Sequence, residues 1–310
     1  MKNRLVILGA GGVGTAIGAA LAEKYYEETL LIGRKEHVFA LNLKGCEITG
    51  SVKKTVRAKA AEEIDFLLEN TLLIAAVKIT VLEETLRRIR PYIADTTSVL
   101  LVQNGYGVKN IANRVLFGLV DPESIFQSIA TMGAVLGAPG QLELYPGGLK
   151  AEKAFADSVY GEIFKDTFLD YKVTSDLEKA VWIKLVINSI VNPLSVIFRA
   201  KNKVIAEDRL NELKDLILQE GIKVAASEGQ DISLTVKDIN EFIRSDNRTS
   251  MLQDYFRRRP NEIDFINGAI IGIGEKNEIN VSANKFIHSI VKNIEMNRIN
   301  NKEEKAIKES

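Results

Sequence analysis

The sequence predicts an α/β protein of two domains, in which a doubly wound parallel-sheet domain precedes an all-α domain. Three observations support this fold class. Short apolar runs alternate with segments of helical spacing in the first half, as strands and crossover helices do. A cluster of glycines separates the first apolar run from the first helical segment. After Ser175 the apolar residues recur with the helical period, and a length of 310 residues suits two domains of roughly 100–200 residues each.

Continuous apolar runs in the first half predict buried parallel strands. These strands are Arg4–Leu8, Thr29–Ile32, 71–77 and 98–103. Helical spacing between them predicts helices over 14–24, 35–44 and 81–93. We expect the domain boundary near residue 174, so that the α/β domain comprises residues 1–174 and the all-α domain residues 175–310.

Less regular segments complete the first domain. Residues 48–60 alternate about Gly50 and Ser51, which predicts a hairpin inserted into the main sheet. Beyond the last buried strand we expect β structure over 124–145, a helix over 150–164 and a strand over 171–173.

The composition excludes several kinds of chemistry. The 41 Lys and Arg residues balance 41 Asp and Glu residues, so the chain has no overall basic field to bind nucleic acid or an anionic membrane. A single cysteine, Cys46, excludes an intrachain disulfide and a cysteine-rich zinc site, and we expect no metal. The apolar stretch 181–198 contains a lysine, two asparagines and a proline, which makes it a poor membrane helix. No export signal is recognisable, and we expect a cytoplasmic protein.

A G-x-G-x-x-G motif follows the first predicted strand and opens the first predicted helix. Its residues are Gly9, Ala10, Gly11, Gly12, Val13 and Gly14. In this context the motif is typical of a Rossmann-type dinucleotide-binding domain. Gly9 permits the tight turn, Gly11 lets the backbone approach a pyrophosphate, and Gly14 lets the helix pack closely on the strand. The helix N-terminus then offers N–H groups to the phosphates.

The residue types after the second strand indicate which dinucleotide binds. An NAD site usually has an acidic residue about 20 positions beyond the glycine motif, where it accepts a hydrogen bond from the ribose 2′-hydroxyl. Here that position is Arg34, followed by Lys35. A guanidinium cannot accept that hydrogen bond but matches a 2′-phosphate. We therefore predict NADPH/NADP⁺ as the cofactor, against the alternative that Arg34 is a solvated surface charge.

Three polar residues occupy one face of an apolar helix in the second domain. Lys184, Asn188 and Asn192 are spaced i, i+4 and i+8, so they form one stripe on a helix. An unpaired buried amide costs about 1–3 kcal/mol, and an isolated ammonium costs more. The stripe therefore either faces a polar ligand or is paired with another structural element.

Polar residues gather again about 60 positions later. Asn247 or Thr249 is expected to cap a helix that carries Ser250 and Asp254. Pro260 is expected to start the following helix, with Glu262 and Asp264 inside it. Such carboxylates most often cap helices or compensate the helix dipole, but Glu262 is also a plausible partner for a buried Lys184.

These motifs, taken in order, resemble those of the ketopantoate reductase (2-dehydropantoate 2-reductase) family. The resemblance extends from residue 1 to about residue 290. The residues that carry it are the glycine motif, Gln103-Asn104-Gly105, Lys184-x3-Asn188-x3-Asn192-Pro193, Ser250-Met-Leu-Gln-Asp254 and Glu262-Ile-Asp-Phe-Ile-Asn267-Gly268. It implies a Rossmann domain joined to a helical domain, with substrate in the cleft between them. It also implies NADPH-dependent reduction of 2-dehydropantoate to (R)-pantoate, on the route to pantothenate and coenzyme A.

The resemblance also implies roles for individual residues. Lys184 would be the general acid, and Glu262 would orient it or pair with it. Asn188, Asn192 and Ser250 would bind the substrate, with Asn247 a weaker candidate. Asn104 would lie where nicotinamide meets substrate, and Lys78 would line the cofactor cleft.

Elementary chemistry supports a lysine acid. Hydride addition to a ketone leaves an alkoxide, which needs a proton or a cation within about 3 Å. His37 follows the second strand and His288 lies in the C-terminal helical segment, so both are badly placed. Burial would lower the pKa of Lys184 and make its proton easier to donate.

Several alternatives remain open from the sequence. The enzyme could reduce another 2-keto acid, or resemble β-hydroxyacid or 6-phosphogluconate dehydrogenases, which also place lysine and asparagine at i, i+4 on a helix. A non-catalytic NADP(H)-binding sensor is a further alternative. The expected partners are a small-molecule 2-keto acid and, as one option, a second copy of the chain in a homodimer, with no nucleic acid or membrane.

Overall fold

The computed structural model describes residues 3–243 and 246–308. The chain folds into two compact units, Met1–Leu177 and Glu178–Ser310. The first unit is an α/β structure, and in the second the described regular elements are all helices. The fold class predicted from the sequence, a Rossmann-type domain followed by an all-α domain, is confirmed.

The first unit is built from strands and helices that alternate along most of its length. The strands are β1 (Arg4–Leu8), β2 (Thr29–Ile32), β3 (Cys46–Gly50), β4 (Lys54–Val56), β5 (Lys59–Ala61), β6 (Thr71–Ala75), β7 (Ser98–Leu101), β8 (Ile125–Ala130), β9 (Ala134–Leu136), β10 (Gln141–Leu144), β11 (Gly148–Glu152) and β12 (Asp170–Thr174). The helices are α1 (Gly12–Lys24), α2 (Lys35–Lys44), α3 (Ile79–Ile89), α4 (Val108–Leu116) and α5 (Lys153–Asp157). Short 3₁₀ helices cover Arg90–Tyr92 and Pro122–Ser124.

An eight-stranded sheet of order β12-β11-β8-β7-β6-β1-β2-β5 forms the centre of this unit. Its neighbours pair in parallel except β8 and β11, which are antiparallel. β1 is flanked by β2 and β6, with Leu5 opposite Thr29 on one side and Leu72 on the other. The chain thus leaves β1 in one direction and later returns on its other side. Open α/β sheets bind their ligands at such a switch point.

Helix α1 is enclosed on all sides, because every residue from Gly14 to Ala22 is buried. A second, four-stranded sheet of order β4-β3-β10-β9 packs against it. Leu142 and Leu144 of β10 are buried while Gln141 and Glu143 are exposed, so one face of this sheet is apolar. The main sheet covers one side of α1 and the small sheet covers the other. Because both sides are covered, α1 needs no polar face.

Two expectations for the first unit are wrong, and one helix was not predicted. The hairpin over 48–60 is real as the antiparallel pair β3–β4, but it belongs to the small sheet because β3 pairs with β10. The expected helix over 150–164 is replaced at its start by β11, whose alternating burial of Leu149 and Ala151 is a strand pattern. Helix α4 occupies a stretch to which the sequence analysis assigns no element.

The second unit consists of helices of very different lengths. They are α6 (Leu177–Ile197), α7 (Asn202–Ile205), α8 (Asn211–Ser227), α9 (Val236–Phe242), α10 (Ser250–Arg257), α11 (Ile263–Lys276) and α12 (Ser282–Lys308), with a 3₁₀ turn at Asp208–Leu210. α6 is long and apolar enough to cross a membrane by length and composition alone. However, 67% of its most apolar window is buried inside the protein, as in the core helix of a folded domain.

Candidate active site

The glycine motif forms the connection between β1 and α1. Gly9 has φ +104°, and a Cβ there would lie 2.8 Å from the backbone nitrogen of Val77. A Cβ on Gly14 would lie 2.1 Å from the carbonyl oxygen of Gly9, and one on Gly12 would lie 2.0 Å from that of Ala134. Packing of the fold alone therefore requires glycine at these three positions.

Gly11 differs from the other glycines of the motif. It precedes the first residue of α1 in extended conformation, and a Cβ added there would have no other atom within 4 Å. Neither packing nor a positive φ requires glycine at this position. Space beside the backbone at a helix N-terminus is what a bound pyrophosphate needs, so the residues present fit a dinucleotide.

The other predicted cofactor residues follow the carboxyl ends of neighbouring parallel strands. Arg34 follows β2 and is the exposed N-cap residue of α2. Lys78 follows β6 as the N-cap residue of α3, and Asn104 lies three residues beyond β7; both are partly exposed. Because β7, β6, β1 and β2 are adjacent and parallel, these positions share one edge of the sheet with the glycine motif.

Gln103 is a residue of this edge to which sequence reasoning assigns no role. Its Nε2 donates hydrogen bonds to the carbonyl oxygens of Ala75 (2.7 Å) and Val77 (3.1 Å), which fixes the end of β6. Its Oε1 is buried and has no hydrogen-bond partner among the described residues. A buried acceptor without a donor is costly, so it suits a ligand N–H or O–H group. Its position directly before Asn104 is the signal that could have found it.

His37 has a structural role in the first unit. Gly140 N–H donates to its Nδ1 at 3.0 Å, so Nε2 carries the proton and donates to Thr15 Oγ1, also at 3.0 Å. The ring thereby joins α1, α2 and the β9–β10 turn. Burial lowers the pKa of His37, which favours this neutral form. The expectation that His37 is not the proton donor agrees with these contacts.

In the second unit, α6 carries the predicted polar stripe of Lys184, Asn188 and Asn192. Lys184 and Asn188 are partly exposed, whereas Asn192 is buried, as are the apolar residues between them. Proline is tolerated at position 193 inside α6. The stripe is therefore a line of polar side chains on an otherwise apolar, largely buried helix.

The charge of Glu262 acts directly on Lys184. Burial lowers the pKa of Lys184 to about 8, and the Glu262 carboxylate opposes this shift. Glu262 is itself buried, with 5% of its surface exposed. A lysine whose pKa is lowered to about 8, with a carboxylate that favours its charged form, is suited to deliver a proton at physiological pH.

Glu262 lies before a helix rather than inside one, which corrects the sequence-based expectation. α11 begins at Ile263, and Glu262 is its N-cap residue, with φ −96° and ψ 17° outside the helical region and no cap hydrogen bond from its side chain. The preceding Asn261 accepts a hydrogen bond from Ile263 N–H at 2.9 Å, so the turn is closed by a side chain and Pro260 stays outside the helix. Asp264 is inside the first turn, where it contacts His288 and Lys292.

Ser250 is the first residue of α10, and Thr249, one of the two predicted candidates, caps that helix. Thr249 Oγ1 accepts from Leu252 N–H at 3.0 Å and lies 2.6 Å from Ser195 Oγ of α6. This contact brings the start of α10, with Ser250, to the same helix as the Lys184 stripe.

Asn247 is held in the segment before α10. Its Oδ1 accepts from Asn202 Nδ2 at 2.7 Å, and its carbonyl oxygen accepts from Asn202 N–H at 3.0 Å. The Asn247 side chain is partly exposed.

A buried amide links α6, α11 and α12. Asn267 is fully buried, and its Nδ2 donates to the Ser189 carbonyl oxygen (2.8 Å) and to Asn284 Oδ1 (3.0 Å). Asn284 in turn donates to Glu220 at 2.9 Å. These contacts hold α11, and with it Glu262, against α6. Among the described residues, no group of three or more His, Cys, Asp or Glu side chains is arranged to hold a metal ion.

Comparison with known proteins gives one consistent result. The family model "Ketopantoate reductase PanE/ApbA" matches residues 5–149, and "Ketopantoate reductase PanE/ApbA C terminal" matches residues 176–295. The 2-dehydropantoate 2-reductases of Pyrococcus horikoshii and Pyrococcus abyssi are 31% and 30% identical to this chain. Each alignment covers 93% of this chain, and 96% and 97% of the respective relative.

Solved structures have the same fold. A PanE/ApbA family ketopantoate reductase from Ralstonia eutropha has TM-score 0.82 at 24% identity, covering 95% of this chain and 99% of that one. D-mandelate dehydrogenase with NADH and anilino(oxo)acetate has TM-score 0.83 at 24% identity and the same coverage. A dimeric ketopantoate reductase from Staphylococcus aureus has TM-score 0.75 at 21% identity, covering 95% and 99%. By its sequence and its fold, the chain belongs to the ketopantoate reductase PanE/ApbA family.

Proposed function

We propose that this chain reduces 2-dehydropantoate to (R)-pantoate with NADPH. The observation that carries the proposal is the electrostatic interaction of Lys184, whose pKa is lowered to about 8, with the buried carboxylate of Glu262. Family membership and the names of the two Pyrococcus relatives support the same reaction. When bound, NADPH supplies the hydride that adds to the carbonyl carbon.

The chain's own residues provide the proton and the orientation. The Lys184 ammonium stabilises the negative charge that develops on the carbonyl oxygen, and then transfers a proton from Nζ to that oxygen. Nζ is left as a neutral amine, which regains a proton from solvent before the next turnover. Glu262 keeps Lys184 charged in a buried place and restricts the direction of its side chain.

We assign substrate binding to the amides of Asn188 and Asn192 and the hydroxyl of Ser250, with Asn247 as a weaker candidate. Amide N–H and hydroxyl groups match the carboxylate and the hydroxyl of a 2-keto-4-hydroxy acid. Support comes from the α6 stripe and from the contact of Thr249 with Ser195, which connects Ser250 to α6.

We assign the cofactor to the glycine motif, with Arg34 as the residue that selects NADPH. The exposed guanidinium at the end of β2 is available to a 2′-phosphate, and Lys78, Asn104 and Gln103 lie at the same sheet edge. D-mandelate dehydrogenase, of the same fold, was solved with NADH. The choice between the two cofactors therefore rests on Arg34 and not on the fold.

The cytoplasm is the proposed compartment, and a homodimer the proposed assembly. The Staphylococcus aureus neighbour is described as dimeric, and the proposal for this chain is tested by its mass in light scattering after size-exclusion chromatography. A monomer at micromolar concentration would contradict the dimer.

The activity is tested by NADPH consumption with ketopantoate and with a panel of other 2-keto acids. The panel includes pyruvate, 2-ketoisovalerate and phenylglyoxylate, the last because a D-mandelate dehydrogenase shares the fold. We expect the highest kcat/KM with ketopantoate. A higher kcat/KM with another 2-keto acid would make that acid the assigned substrate. Saturable NADPH binding without turnover of any acid would favour a non-catalytic sensor.

A further inference from the structure

The helical unit contains a pocket that the proposed reaction does not use. Its volume is about 200 Å³. Val196 of α6 and Val291 and Ile294 of α12 contribute its apolar wall, and Tyr255 of α10 adds an aromatic ring. Pockets for drug-sized ligands have volumes of about 300–1,000 Å³, so this one suits a smaller molecule with an apolar part.

The polar side of the pocket is predominantly cationic. Arg258 and Arg259, just beyond the end of α10, and Arg298 of α12 line it. Glu295 is the carboxylate in the lining, and it already accepts Asn261 N–H at 3.0 Å. Even without Arg259, which has a partner of its own, the guanidinium groups of Arg258 and Arg298 outnumber the single carboxylate, and this net positive charge favours an anion.

Tyr255 orients one of these cations, Arg298, and also lies near Arg199, which is outside the pocket lining. The guanidinium carbon of Arg298 lies 3.9 Å from the centre of the Tyr255 ring, and that of Arg199 lies 5.7 Å from it. Stacking on an aromatic ring uses the face of a guanidinium and leaves the N–H groups at its edge available. Arg298 is thereby held in one orientation without consuming the donors that bind a carboxylate or a phosphate.

We propose that this pocket binds a small organic anion with an apolar body and a carboxylate or phosphate head group. Compensation of the α10 dipole explains cations at the end of that helix. It does not explain the contribution of Arg298 from α12, nor an apolar cavity beside the charges.

The pocket adjoins three segments that carry proposed active-site residues. Val196 is one helical turn beyond Asn192, Asn261 directly precedes Glu262, and Tyr255 belongs to the helix that begins at Ser250. An anion in the pocket contacts these segments and is expected to change KM or kcat of the reductase. This consequence rests on the proposed function, whereas binding itself does not.

Binding is tested by titration calorimetry of the full chain with phenyl phosphate, and with benzoate to compare the two head groups. Inorganic phosphate supplies the head alone and phenol the body alone. The titration is repeated with saturating pantoate and NADP⁺ present, so that binding at the catalytic residues is blocked. We expect binding of phenyl phosphate or benzoate that persists under this condition and exceeds that of either fragment.

The variants are Arg258→Ala, Arg298→Ala and Ile294→Phe, with Arg257→Ala as the matched control. Arg257 belongs to the same arginine run but does not line the pocket. Loss of a charge-assisted hydrogen bond should weaken binding about tenfold in the first two. Ile294→Phe keeps every charge but fills the cavity with a larger side chain. We therefore expect it to abolish binding of the probes.

Circular dichroism checks that each variant is folded. The proposal is overturned by failure of the wild type to bind either probe, by displacement with pantoate, or by equal weakening in Arg257→Ala. These measurements report binding and not turnover. Their outcome is therefore independent of whether the reductase assignment is correct.

Discussion

Thr249 Oγ1 lies 2.6 Å from Ser195 Oγ, and the direction of this hydrogen bond follows from its neighbours. Ser195 Oγ donates to the Asn192 carbonyl oxygen at 2.7 Å, so its own proton is already used. Thr249 must therefore donate to Ser195, while it accepts from Leu252 N–H. This chain of hydrogen bonds joins the cap of α10 to the stretch of α6 that carries Asn192.

Replacement of Thr249 by valine should lower both the stability of the fold and the affinity for the substrate. The hydroxyl is both an N-cap acceptor and a donor to a buried oxygen, and loss of an N-cap costs about 0.5–2 kcal/mol. We expect a lower free energy of unfolding in denaturant and a higher KM for ketopantoate, because Ser250 loses its support. Thr235→Val, at the exposed cap of α9, is the matched control and should lower stability without raising KM. An unchanged KM in Thr249→Val would contradict the positioning role.

Lys184 makes the reaction sensitive to alkaline pH. With a pKa of about 8, the ammonium is the acid below that pH and is lost above it, so kcat should fall as the pH rises through 8. In Glu262→Gln the opposing charge is gone, so the pKa of Lys184 should drop and the fall in kcat should begin at lower pH. Lys184→Ala should lose several orders of magnitude in kcat and keep its affinity for NADPH.

The pH profile of kcat for the wild type and Glu262→Gln checks this assignment. Lys179→Ala, on the exposed side of the same helix, is the control and should leave the profile in place. A fall in kcat that moves to higher pH in Glu262→Gln would contradict the sign of the interaction.

Gly11→Ala should separate folding from cofactor binding. A Cβ at Gly11 meets no atom within 4 Å, so the variant should fold with nearly the wild-type thermal midpoint. The methyl group then occupies space that we assign to the pyrophosphate, and NADPH affinity should fall by at least about tenfold, equivalent to about 1.4 kcal/mol.

Gly272→Ala is the matched control for this variant. Gly272 lies inside α11 and its Cβ also meets nothing within 4 Å, so alanine should be neutral or stabilising there and leave NADPH binding unchanged. Fluorescence titration measures the NADPH affinity of both variants, and thermal unfolding measures their stability. Full NADPH affinity in Gly11→Ala would show that the phosphates do not approach this residue.

Arg34→Ser should reduce the preference for NADPH over NADH. A charge-assisted pair with a 2′-phosphate contributes about 1.5–3 kcal/mol, so kcat/KM for NADPH should fall by roughly tenfold or more while that for NADH changes little. Lys35→Ser is the neighbouring control and should have a smaller effect. Equal losses with both cofactors would assign Arg34 to stability rather than to selection.

His37 should make the first unit sensitive to acid. Burial holds its pKa below the ordinary value of about 6.5, so the unfolded chain binds a proton more readily than the folded one. The contribution of the neutral ring is complete above pH about 6.5 and is lost as the pH falls toward the lowered folded-state pKa. Protonation of Nδ1 would also break the hydrogen bond from Gly140 N–H.

Thermal midpoints between pH 5 and pH 8, roughly one unit or more on either side of the ordinary histidine pKa, check this prediction. His37→Gln should start less stable and show a flatter pH dependence than the wild type. His288→Gln retains His37 and should keep the steep dependence. A wild-type slope in His37→Gln would assign the acid sensitivity to other groups.

Much of the fold could be predicted because it depends on local patterns. The ends of β1 and β2 and of α2 follow from continuous apolar runs and from the helical spacing between them. The hairpin β3–β4 was recognisable, but its sheet was not, because its partner β10 lies about 90 residues away in sequence. A local sequence pattern does not specify with which distant strand a given strand will pair.

The candidate site divides in the same way. The i, i+4, i+8 spacing by itself determines that Lys184, Asn188 and Asn192 share a helix face, because helix geometry is local. Only the tertiary structure decided that Glu262 precedes α11 and acts on Lys184, and that Gln103 clamps the end of β6. Those relationships arise from residues far apart in the chain, and the lowered pKa of Lys184 arises from the burial that packing creates.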